Sequence, residues 1–170
     1  MKKHNGMRPQ DIVVLLKIAA KGGKSWLVKD LGYELGISQS EVSESLHRSV
    51  QAGLIASDKK TLMKGALLEF LKHGFKYVYP QHVGAMVRGM ATAHSAKPLS
   101  ELIQSEENYV WPWAKGNVRG QSIEPLHPSV PEACEKDEKL YELLALTDAL
   151  RIGKKREQQL AVEELEKRIR

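Results

Sequence analysis

Apolar residues recur at helical spacing near the start of the chain, at Ile12, Leu15, Leu16 and Ala19, and predict a first helix. Pro9 suits its opening turn and Gly22-Gly23 its end. Ser25 can cap a second helix, from 26 or 27 to 35, closed by Gly36. A third is expected over about 39–52, stopped by Gly53, and a fourth follows Leu62, Met63, Ala66, Leu67, Phe70 and Leu71 to Gly74. The pattern then changes: "FKYVYP" predicts a short strand over 75–79, paired across "PQHVG" with a second over 85–90.

Residues 80–131 hold six of the seven prolines and predict a loop-rich, partly β middle region with a hairpin over about 115–120. Helical patterning returns over 135–170, with Gly153 as a break. Leu140, Leu143, Thr147 and Leu150 form one coiled-coil-like stripe, and Ala161, Leu165 and Ile169 another. One stripe suffices to pack on the rest of the chain, so the other is expected to meet a second subunit. The expected organisation is mainly α: a helix-turn-helix (winged-helix-like) domain over 1–79, the middle region over 80–131, and a C-terminal helical module over 132–170. Residues 100–170 would also offer a surface to a protein partner.

Charge sharpens this picture only when located. The net charge is +5, and residues 1–30 alone carry seven Lys/Arg against Asp11 and Asp30. Such an excess attracts polyanions by releasing their condensed counterions. Lys2, Lys3, Arg8, Lys24 and Lys29 are the expected phosphate contacts.

Between the second and third helices, Gly36 tolerates the positive φ of a tight corner, and Gly32 is small where the third helix crosses. Leu31, Leu35, Ile37, Val42 and Leu46 are expected to seal the pair against the first helix. Ser38 and Glu41 form S-x-x-E, a capping box that would fold the Glu41 carboxylate back onto the helix start. With Val42, Leu46 and Val50 facing inward, the outward face would present Gln39, Ser40, Ser43, Glu44, His47 and Arg48. Gln39 suits adenine, Arg48 guanine or phosphate, the serines either bases or phosphates, and Glu44 can accept from cytosine N4.

The run "KDLGYELGISQSEVSESLHRSVQAGLI" resembles the helix-turn-helix of bacterial transcription regulators, in particular winged-helix proteins of the MarR type, over about residues 9–63. The resemblance implies sequence-specific binding of double-stranded DNA, by a homodimer if two such helices read a palindrome. One departure stands out. After "AGLIASD" such proteins enter a β-hairpin with a basic tip, whereas "KKTLMKGALLEFLKHG" turns helical almost at once. The hairpin is therefore expected to be very short or absent, with a displaced substitute carrying Arg88.

Other chemistry finds little support. Six histidines include no H-x-x-x-H and no pairing with the one cysteine, Cys134, so neither metal nor cofactor is expected. His94-Ser95 are chain neighbours that point apart, which is poor geometry for a nucleophile and its base, and phosphate-binding glycine motifs are missing. No enzyme activity is expected. Tyr109, Trp111 and Trp113 would line a partner pocket or close a small core over the loops. With no run of about 20 apolar residues, a cytoplasmic, membrane-free protein is expected. The competing reading is an antitoxin-like accessory subunit that binds a separately encoded enzyme.

Overall fold

A computed structural model describes residues 6–170. The chain is mainly helical. Helix α1 (Pro9–Ala20) has every residue from Asp11 to Ile18 buried. It is the central strut of the structure, packed by α3 (Gln39–Ala52) on one side and by α7 (Glu138–Ile152) on another. Helices α2 (Val28–Leu35) and α3 are joined by Gly36, which adopts φ +69° and donates to the end of α2. A Cβ on Gly32 would lie 2.7 Å from the Ile37 carbonyl, so the crossing needs glycine there. Leu31, Leu35, Ile37, Val42 and Leu46 are all buried, as the apolar spacing implies.

Beyond Gly53 the chain makes a minimal hairpin. Ile55 bridges Leu62, the Ala56 amide donates to Thr61 (2.8 Å), and the Met63 amide donates to Leu54 (3.0 Å). Helix α4 (Lys64–His73) follows immediately.

The predicted strand over 75–79 is a helical turn, α5 (Phe75–Val78). Phe75 and Tyr79 are both buried and meet Phe70 edge-on at 6.1 and 6.3 Å between centroids, and each other at 5.7 Å. A spacing of four rather than two therefore governs burial, and Tyr77 is left in solvent. The hairpin expected to pair 75–79 with 85–90 does not form.

Strand β1 (Met86–Ala91) instead pairs antiparallel with both β2 (Tyr109–Pro112) and β3 (Val118–Ser122). β2 and β3 run parallel, Tyr109 beside Gln121, and close a three-stranded barrel. The expected 115–120 hairpin is not formed: residues 115–117 lie in the link between β2 and β3, and residues 118–120 belong to β3. So small a barrel brings backbones very close: a Cβ on Gly89 would sit 1.9 Å from the Trp111 carbonyl oxygen.

Helix α6 (Val130–Glu135) leads into α7, and α8 (Lys155–Ile169) folds back on α7 after Gly153. Both C-terminal stripes, Leu140/Leu143/Thr147/Leu150 and Ala161/Leu165/Ile169, are buried within the chain itself. Neither is left to meet a second subunit, since α7 and α8 lie against each other and against α1, α4 and α5. Trp111 is fully buried, its indole N–H donating to Asp148 of α7 (2.7 Å), so it closes the core under the barrel. Among the described residues no helix is long and apolar enough to cross a membrane.

Gly89→Ala should destabilise the protein by about 3 kcal/mol, because the added methyl must push β1 and β2 apart. Thermal melting followed by circular dichroism checks this; an unchanged midpoint would mean that the strands are not in such close contact.

Candidate nucleic-acid interface

The outward side of α3 is set by a buried charge pair. Asp11 is fully buried and its carboxylate accepts from the Arg8 amide (2.8 Å), Ser45 Oγ (2.5 Å), Arg48 Nε (2.8 Å) and Arg48 Nη2 (2.7 Å). The bidentate fork holds Arg48 inward, 9% exposed. The expectation that Arg48 faces DNA is therefore corrected: a buried carboxylate on α1 outcompetes solvent for its guanidinium. Glu44 lies 3.9 Å from Arg48 Nη1 at the edge of this cluster, with a largely exposed carboxylate.

The remaining predicted face is exposed: Gln39, Ser40, Ser43, Glu44 and His47 all reach solvent. Ser38 caps α3 by accepting from the Glu41 amide (3.3 Å), but the return bond from the Glu41 side chain is not made. Glu41 thus adds a second exposed carboxylate, where a folded-back one was expected. The face carries two acids and no Lys or Arg.

Cations come from the hairpin. Asp58 Oδ1 accepts from the amides of Lys60 (2.8 Å) and Thr61 (2.9 Å), and Oδ2 accepts from Thr61 Oγ1 (2.7 Å). These bonds hold the Asp58 carboxyl down at about 2. The turn exposes Lys59, at φ +59°, and Lys60, whose ammonium lies 5.5 Å from the Trp26 ring centroid. Both lysines line a depression of about 190 Å³ together with Trp26 and Ser43, so the basic tip reaches the outward face of α3. The sequence reading missed these two residues; the signal was Asp58 followed three positions later by Thr61, an Asx-type turn.

The N-terminal basic excess is smaller than its sequence count. Lys17 is buried against Asp137 (2.6 Å) and Glu34 (3.3 Å), and Lys21 pairs with Glu34 (2.6 Å). Arg8, Lys24 and Lys29 are exposed, Lys24 lining a cleft of about 710 Å³ between α1–α2 and α6–α7. Lys2 and Lys3 lie outside the described residues. In the same cleft, Ser129 Cβ lies 3.4 Å from where a Gly36 Cβ would be, so the start of α6 abuts the corner before α3. There His127 Nδ1 accepts from the Ser129 amide (3.1 Å), and burial lowers the pKa of the ring.

Models of protein families, curated proteins and solved structures offer no match to this chain. Among the described residues no group of three His, Cys, Asp or Glu is placed to hold a metal ion.

Two predictions follow from these geometries. Arg48→Ala, which leaves Asp11 buried without its partner, should cost about 3–5 kcal/mol in urea denaturation; a neutral result would put the arginine in solvent. The Asp58 carboxyl, depressed in the folded state, supports the turn fully above its ordinary value of 3.8 and loses that support as pH falls through about 2. An NMR titration of Asp58 should find its midpoint near 2, and a midpoint near 3.8 would mean that the turn does not hold.

Proposed function

We propose that the protein is a sequence-specific, double-stranded DNA-binding transcriptional regulator of helix-turn-helix, winged-helix-like form, with α3 lying in the major groove. The carrying observation is the juxtaposition of the exposed Gln39, Ser40, Ser43, Glu44 and His47 with a two-lysine hairpin tip that shares a depression with Ser43. α3 is 14 residues long, about 20 Å, which suits a groove. Its exposed residues are base readers rather than phosphate binders: amide, hydroxyl, imidazole and carboxylate. The hairpin acts as the wing, and Lys59 and Lys60, with Arg8, Lys24 and Lys29, supply the backbone attraction that α3 lacks. Acids on the reading face repel phosphates out of register and so favour selectivity over affinity. A homodimer belongs to this reading because one helix contacts few base pairs, and its contact surface lies outside the α7 and α8 stripes.

A second reading draws on the same face. With Glu41 and Glu44 exposed and Arg48 withdrawn, α3 also suits a basic protein surface, as in an antitoxin-like subunit bound to a separately encoded enzyme. The DNA reading accounts for the lysine tip and is preferred.

Fluorescence anisotropy with random duplex across a salt series should show steep salt dependence. Lys59→Gln with Lys60→Gln should reduce the log–log slope by ~1.8, two phosphate contacts at ~0.9 each. Absence of binding at low salt would sink the DNA reading. Gln39→Ala should change which duplexes are selected while leaving the slope intact; unchanged selection would mean that α3 does not read bases.

A further inference from the structure

Arg88 on β1 and Arg119 on β3 are direct cross-strand partners in the antiparallel register. Both side chains are exposed, and among the described residues neither has an ion pair. The strand alternation fixes them on the same outer face, because Gly89 and Gly120, the next residues along, are buried with their Cβ directions closed by the backbone at Trp111 and Asn108. Directly opposed like charges sit about 5 Å apart at Cβ and repel. An uncompensated pair of guanidinium forks on a rigid sheet is complementary to successive phosphate oxygens, which arginine recognises with two parallel N–H donors. We propose that this face of the barrel is a second grip for the sugar–phosphate backbone of duplex DNA, engaging the duplex beyond the stretch that α3 reads.

The placement of the barrel supports the link. Lys115, between β2 and β3, pairs with Glu132 of α6 (2.8 Å), and Ser129, the residue before α6, lies against the Gly36 corner that leads into α3. The barrel is thus tied through one short helix to the N-terminal end of the reading helix, while the wing tip reaches Ser43 further along it. The spacing between the two grips is held by buried bonds, since Thr92 and Trp111 both donate to Asp148 of α7 and so fasten the barrel to the helical body. The inference rests on the DNA reading and adds an extent to it: one contact set within about one helical turn of DNA, another outside it.

The test compares wild type, Arg88→Gln/Arg119→Gln, Arg88→Lys/Arg119→Lys and Lys59→Gln/Lys60→Gln on a duplex of about 12 base pairs, roughly one helical turn, and on one of about 30. The glutamine pair should lower the log–log salt slope by ~1.8 on the longer duplex only, and the lysine pair should restore most of it. Because the two arginines repel, the glutamine pair should melt no earlier than wild type, which separates lost contact from lost fold. A slope unchanged by the glutamine pair but lowered by the wing variant would overturn this proposal and leave the DNA reading standing. Equal loss on both duplexes would overturn the claim of a separate stretch. Failure of the wild type to bind either duplex at low salt would overturn both.

Discussion

A carboxylate with no solvent exposure sits between α1 and α3, and the arrangement of the N-terminal half depends on it. Isolated in that position, Asp11 would cost several kcal/mol in lost hydration; it is tolerated because four directional donors converge on its two oxygens. Apolar contacts between two helices permit small rotations with little penalty. A bidentate arginine fork plus a serine hydroxyl does not. The pair therefore fixes the rotation of α3 about its axis and decides that Ser43, Glu44 and His47 point outward. The residue that looks most like a phosphate contact is thus the one that aims the others.

The C-terminal half repeats this logic on a different carboxylate. Asp148 of α7 is buried, and burial raises its pKa while Arg151, 3.1 Å away, opposes the shift. Thr92 and Trp111 both donate to its Oδ2 at 2.7 Å, joining the barrel to the helix. The same Arg151 donates to the carbonyls of Tyr79 and Glu124, gathering three otherwise separate segments. Polar keys set in an apolar core give each half its register, and α1 against α7 joins them.

Much of the helical framework was legible from local chemistry. Gly36 and Gly53 stop their helices with positive φ, and Gly32 permits the α2–α3 crossing, each for a reason stated by residue type and position. What failed was long-range or ambiguous in period. Phe75, Tyr77 and Tyr79 alternate as a strand would, yet the core takes the first and third as one helical turn in which both rings pack on each other and on Phe70. No local pattern announces that β1 will pair with two strands that both lie beyond residue 108. On the candidate interface, the apolar positions of α3 were found and the polar inward ones were not. Ser45 and Ser49 are small and fully buried, and with the lone Asp11 in an apolar helix they were the available sign that Arg48 turns inward. The cap illustrates the same limit: the serine half of S-x-x-E formed, while the glutamate half had water as a competitor.

Helix α1 has one more consequence. With all its sides covered by elements from both ends of the chain, it cannot lose its partners on one side without exposing apolar surface that also stabilises the other. The two halves are therefore expected to melt together as one cooperative unit. Thermodynamic linkage then makes the halves report on each other: whatever binds the barrel or the cleft beside α6 raises the stability of the folded state that presents α3, and occupation of α3 protects the barrel equally. What the shared central helix carries between distant surfaces is therefore protection against unfolding, with no moving part.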